Sequence, residues 1–183
     1  MKLSLVLAGF FLFSPGNNPN LLGDQWEKFH QSNIQDRWKV DIGREITWSR
    51  KAGPDCGSAG VFQWVRAQVK GKLILRMEVR VDSHSLRGSG WGADRRGGTG
   101  EYPAKIRIDY LDDRGQKDFW THGFLTNRNP NRLLNYTQIK KGEWTRVELE
   151  LDLGKNVFVR AIRFFGTGWS FEGGVRNMRL IQK

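Results

Sequence analysis

Residues 161–181 read A-I-R-F-F-G-T-G-W-S-F-E-G-G-V-R-N-M-R-L-I. Two apolar and aromatic runs flank the corner Gly166-Thr167-Gly168-Trp169. Glycine frees the backbone at such a corner, and neither run has the three-and-four spacing of an amphipathic helix. The pattern is strand, corner, strand, the ending expected of a β-sandwich that closes on its last two strands.

Upstream, the clearest strand lies at 73–81, where Leu73, Leu75, Met77, Val79 and Val81 share one face and Arg76, Glu78 and Arg80 the other. Strict period two marks a strand with one buried face. Val147, Leu149 and Leu151 repeat it against Arg146, Glu148 and Glu150. Shorter runs stand at Trp38-Lys39-Val40-Asp41, Glu45-Ile46-Thr47-Trp48 and Val61-Phe62-Gln63-Trp64-Val65. Trp38, Trp48, Trp64 and Trp144 sit beside these patterns and are expected to be structural. Recurrent short strands with glycine-rich turns predict an all-β sandwich or barrel.

Residues 105–111 and 116–124 form a hairpin around Asp112-Asp113-Arg114-Gly115. One residue of slippage flips every side chain, so two registers are open. With Gly115 as a left-handed bulge, Asp112 opposes Gln116, and Trp120 and His122 share the face of Ile106, Ile108 and Tyr110. With a two-residue loop, Asp112 opposes Gly115, and Trp120 and His122 join Lys105 and Arg107 on the solvent face. Glycine at the fourth turn position favours the first register. The second gives the more evident binding strip.

The chain has 183 residues, with 30 Lys and Arg against 19 Asp and Glu, a formal charge of +11. A single domain over 17–183 is expected. The positive excess favours an anionic partner, unless it serves solubility alone. Residues 1–16 look like an export signal. Lys2 precedes an apolar run at 3–13 broken only by Ser4, far short of the ~20 residues that span a bilayer. A buried N-terminal strand is the alternative. Export implies a secreted, periplasmic or cell-envelope location, with no transmembrane segment in the mature chain.

The lone Cys56 excludes an intramolecular disulfide and sits in a turn sequence. His30, His84 and His122 lack metal-ligand spacing, and there is no Gly-x-Ser-x-Gly elbow. Arg107, His122 and Tyr110 are the nearest approach to a polysaccharide lyase site, and Glu148 with Glu150 to a hydrolase pair. No catalytic residue is assigned. Residues 83–103 instead hold six glycines between Gly88 and Gly100, with Trp91, Arg95, Arg96 and Tyr102. Sugar C–H faces pack on such rings, while guanidiniums donate to hydroxyls and carboxylates. Trp91, Arg95, Arg96 and Tyr102 are therefore candidate ligand-binding residues. Arg107 and Trp120 join them in the exposed hairpin register.

Several stretches together resemble the galactose-binding-like jelly rolls that serve as carbohydrate-binding modules. They are Gln25-Trp26-Glu27-Lys28-Phe29, then Gly57-Ser58-Ala59 running into Val61-Phe62-Gln63-Trp64-Val65, and the ending Gly166-x-Gly168-Trp169 with Val175-x-Asn177-x-x-Leu180. The resemblance implies an antiparallel jelly-roll β-sandwich and a non-catalytic carbohydrate-binding role, with a polysaccharide or surface glycan as partner. The charge adds a bias towards acidic glycans. Many such domains carry an acidic residue that helps hold a structural calcium where this chain has Arg176, which argues against calcium here. Asp24 and Glu27, with backbone carbonyls, are the remaining candidate metal ligands, and no other cofactor is expected. The rival readings are an envelope structural or protein-interaction domain without sugar binding and, behind it, a polysaccharide lyase or hydrolase. Nucleic acid suits the charge but conflicts with export and with the dispersed basic residues.

Overall fold

The computed structural model describes residues 20–31, 37–52, 56–85, 101–126 and 135–183. The expected export signal at 1–16 lies outside the described residues. Among those described are eleven strands: β1 (Glu27–Gln31), β2 (Trp38–Ile42), β3 (Ile46–Arg50), β4 (Gly57–Val69), β5 (Leu73–His84), β6 (Ala104–Leu111), β7 (Lys117–Leu125), β8 (Tyr136–Gln138), β9 (Thr145–Leu151), β10 (Val157–Gly168) and β11 (Phe171–Gln182). They form a six-stranded sheet, β1-β4-β10-β6-β7-β8, and a five-stranded sheet, β2-β3-β11-β5-β9. Pairing is antiparallel except between β7 and β8. The chain passes between sheets at each step from β3 to β6 and again from β8 to β11, the winding of a jelly-roll sandwich.

The two halves of residues 161–181 are β10 and β11, each in the interior of a different sheet, so the corner hands the chain from one layer to the other. Gly166 is required there, because a Cβ would lie 2.3 Å from the Phe171 ring, and Gly168 takes φ +133°. Arg50, 3% exposed, donates to Gly168 O at 3.0 Å and Trp169 O at 2.6 Å. A charge this deeply buried persists only when hydrogen bonded. Arg50 thus pins the corner.

Leu73, Leu75, Met77, Val79 and Val81 of β5 are all buried, as their alternation requires. They meet Ile106, Ile108, Phe124, Ile162, Phe164 and Trp48 in one continuous core. The β6–β7 hairpin adopts the bulged register. Gly115 has φ +74°, Asp112 N donates to Gln116 O at 2.9 Å, and Ile106 and Ile108 oppose His122 and Trp120. Lys105 departs from expectation. It lies on the outward-facing parity yet is 4% exposed, with its Nζ 5.7 Å from the centre of the Tyr102 ring. Among the described residues no helix is long and apolar enough to cross a membrane.

Candidate functional site

Of the ligand-binding residues expected from sequence, Trp91, Arg95 and Arg96 lie outside the described residues. Tyr102 does not stand on a loop surface. It is 2% exposed, packs with Leu125 and Tyr136, and fills the space where a Cβ on Gly123 would come within 2.2 Å of its ring. Trp120 faces inward, as the bulged hairpin dictates, packs against the core and stacks on His122 at 5.8 Å. The same register places Arg107 and His122 on opposite faces of the sheet, so the Arg107, His122 and Tyr110 trio is not assembled. Burial lowers the His122 pKa to about 4, leaving a neutral imidazole whose Nε2 lies 2.9 Å from Thr137 Oγ1.

Asp24 and Glu27 are exposed, and no group of three or more His, Cys, Asp or Glu able to hold a metal occurs among the described residues. Arg176 is committed to Glu78 and Glu45, each at 2.8 Å, and lies 4.4 Å over the Trp144 ring. The Cys56 thiol is pushed up to about 12, first by burial of the sulfur and then by Glu101, which accepts its hydrogen bond at 2.9 Å. Such a thiol is a poor nucleophile.

Arg107 belongs instead to a surface built from residues on five strands: the outer face of the six-stranded sheet. Cross-strand pairing arranges it in rows. Phe62, Arg163, Arg107 and Thr121 form one row across β4, β10, β6 and β7, and Trp64, Ala161, Asp109 and Phe119 form the next. Phe29 of β1 extends the aromatic surface, with ring centroids 5.5 Å from Phe165 and 6.4 Å from Phe62, and Phe62 meets Trp64 edge-on at 5.9 Å. Trp64 is 48% exposed, where sequence reasoning had it structural. The register explains this. Gln63, not Trp64, takes the inward parity, and its amide bonds Gly23 N, Gly23 O and Gln25 O at 3.0, 3.0 and 2.7 Å.

An open cleft of about 250 Å³ runs from Trp64 to Phe119 and is lined by Arg107, Asp109, Arg160 and Arg163 among others. Asp109 organises it. Its side chain is 15% exposed, Arg107 Nε donates to Oδ1 at 2.7 Å, and Arg163 Nε forms an ion pair with Oδ2 at 3.2 Å. The Arg107 guanidinium also lies 4.3 Å over the Phe119 ring. Arg160 is the extra residue of a bulge between Val159 and Ala161, a device that re-aims a side chain and here brings it into the cleft. At the rim Tyr110 donates to Asp118 Oδ2 at 3.2 Å, and burial, with the Asp118 charge, pushes its phenol up to about 12. The lining thus holds four cations, Arg107, Lys117, Arg160 and Arg163, against the carboxylates Asp109 and Asp118. Exposed indole, a floor kept low by Ala161 and guanidiniums fixed in place suit the stacking and hydrogen bonding of a polar, ring-shaped ligand.

No protein-family profile matches the sequence, and comparison with curated proteins finds no match. Some solved structures are similar to the chain. One is the enzymatically active domain of bacteriophage CBA120 tailspike protein 4, with TM-score 0.55 and 10% identity over 88% of this chain and 21% of that one. This chain therefore spans about a fifth of the tailspike structure. Two others are the CBM22-1 xylan-binding domain of Paenibacillus barcinonensis Xyn10C (TM-score 0.48, 9% identity, 92% and 97% coverage) and TmCBM61 in complex with β-1,4-galactotriose (0.43, 11%, 90% and 99%). At 10% identity the tailspike likeness is one of fold.

Proposed function

We propose that the chain is a non-catalytic carbohydrate-binding module of an exported protein, that it favours acidic glycans, and that it binds them across the outer face of the six-stranded sheet. The observation that carries this reading is Trp64. It is a large aromatic ring left 48% exposed, continuous with Phe62 and Phe29 on one side and with the arginine-lined cleft on the other. The net charge of +11 and the cationic excess of the cleft support an acidic ligand, and the apolar run at 3–13 supports export.

Trp64 is 48% exposed, with the Arg66 guanidinium 5.6 Å over its ring. Covering roughly 100 Å² of apolar surface at ~25 cal/mol per Å² would contribute at most about 2.5 kcal/mol, or roughly fiftyfold in affinity. Trp64→Ala is expected to weaken binding to the best glycan by tenfold or more without unfolding the domain. Calorimetric titration of both proteins against a panel of soluble polysaccharides tests this. Equal affinities in two folded proteins would remove the ring from the site.

A further inference from the structure

Building on that reading of the face as a glycan platform, we infer that Arg107 and Arg163 form a fork for one carboxylate, so that the acidic sugar recognised is a hexuronate. Asp109 accepts a hydrogen bond from Arg107 Nε and forms an ion pair with Arg163 Nε at 3.2 Å that lacks hydrogen-bond geometry. The terminal nitrogens of the two guanidiniums make no hydrogen bond to any described residue. Both guanidiniums also lie over aromatic rings, Arg107 Cζ 4.3 Å from the centre of Phe119 and Arg163 Cζ 5.9 Å from that of Phe29. What remains free is the planar N–H edge of each, the part of an arginine that matches a carboxylate two bonds at a time.

Arg163 and Arg107 are direct cross-strand partners on β10 and β6. Like charges in that position repel. One half-buried carboxylate between two guanidiniums offsets this only in part, leaving one positive charge for one further anion. The row arrangement supplies the spacing. Trp64 and Asp109 flank Ala161 on neighbouring strands, and strands lie ~4.8 Å apart. A sugar chain laid across the strands, with one ring stacked on Trp64, places the next ring over Ala161. A carboxylate on that second ring then falls beside the arginine row. Neutral sugars satisfy the aromatic part of the face and leave the fork unfilled.

The test is titration of the whole chain with galacturonan, glucuronan and mannuronan hexasaccharides, each beside its carboxyl-reduced neutral counterpart, with dextran sulfate as a charge control. At least one hexuronan should bind the wild type roughly tenfold or more tighter than its reduced form, the range of charged hydrogen bonds. In Arg163→Gln and Arg107→Gln the hexuronan should lose much more affinity than its reduced form, so that the ratio falls towards unity. Arg163→Lys, which keeps the charge and loses the planar edge, should also lose most of the ratio. Trp64→Ala should weaken both forms together. A ratio that survives the arginine substitutions, or arginine-dependent binding of dextran sulfate alone, overturns the hexuronate assignment but spares the platform. Binding of no glycan at all, or binding indifferent to Trp64, overturns the platform and the fork with it. Thermal melts of each variant identify any that fails to fold.

Discussion

Asp109 and Tyr102 illustrate how two polar side chains on one sheet come to opposite uses. Asp109 stays near solvent and aligns two arginines at the open end of the outer face. Tyr102 closes the other end, where it packs with Leu125 and Tyr136 on the glycine surface at Gly123. Tyr102→Ala should therefore cost about 3–5 kcal/mol of stability through the cavity it leaves. That is roughly 10 °C of melting temperature for a chain of this size. Glycan affinity of the molecules that remain folded should not change. Calorimetric melting beside titration checks both; a folded variant with normal melting and lost affinity would restore Tyr102 to the ligand surface. Gly123→Ala acts at the same contact from the other side. Its new Cβ would lie 2.2 Å from the Tyr102 ring, and overpacking of that kind costs about 1–3 kcal/mol.

At the scale of elements, the β6–β7 hairpin was legible because its turn carries its own signal. Glycine at the fourth turn position selects a left-handed bulge, and that fixes Trp120 and His122 inward. Gly115→Ala should destabilise by about 1 kcal/mol, since φ +74° is strained for any residue with a Cβ, and chemical denaturation measures it. His122 adds a pH dependence. Its folded pKa, lowered by burial to about 4 from an ordinary 6.5, means that the unfolded chain binds the extra proton between those values. Stability contributed by the neutral ring is thus present above pH 6.5 and lost as pH falls towards 4. His122→Gln should flatten the stability profile in that window relative to wild type, and an unchanged difference across pH 4–7 would contradict the burial. β5 was equally legible, with polar residues on one parity only over residues 73–82. β4 was not: Val61, Phe62, Trp64 and Val65 are apolar on both parities, and the polar Gln63 sits on the buried one because the chain at Gly23–Gln25 uses its amide. Nothing local tells which way Trp64 faces. The bulge that aims Arg160 is likewise a property of three paired strands, not of one.

Across the whole molecule, the corner at Gly166-Thr167-Gly168-Trp169 is one of the points where the chain crosses between the two sheets, and Arg50 holds it by its backbone carbonyls. The sandwich was therefore readable from its ending, while the binding face was not, because it is assembled from β1, β4, β6, β7 and β10. Long-range charge works over the entire surface. With +11 formal charge, affinity for an acidic glycan should fall steeply as salt is raised from low ionic strength past ~0.15 M, where the Debye length is about 8 Å. Affinity for a carboxyl-reduced counterpart should stay flat, and parallel salt slopes for the two would place recognition elsewhere than in charge. The location of the site is tested most directly by following the indole N–H resonances of the eight tryptophans during a glycan titration, with Trp64 assigned from a Trp64→Phe sample. The Trp64 signal should move in a saturable way while those of the buried Trp48 and the core-packed Trp120 stay still. If Trp64 stays still and Trp169 at the corner, the other strongly exposed indole among the described residues, moves instead, the ligand sits at the end of the sandwich and the outer-face account is wrong.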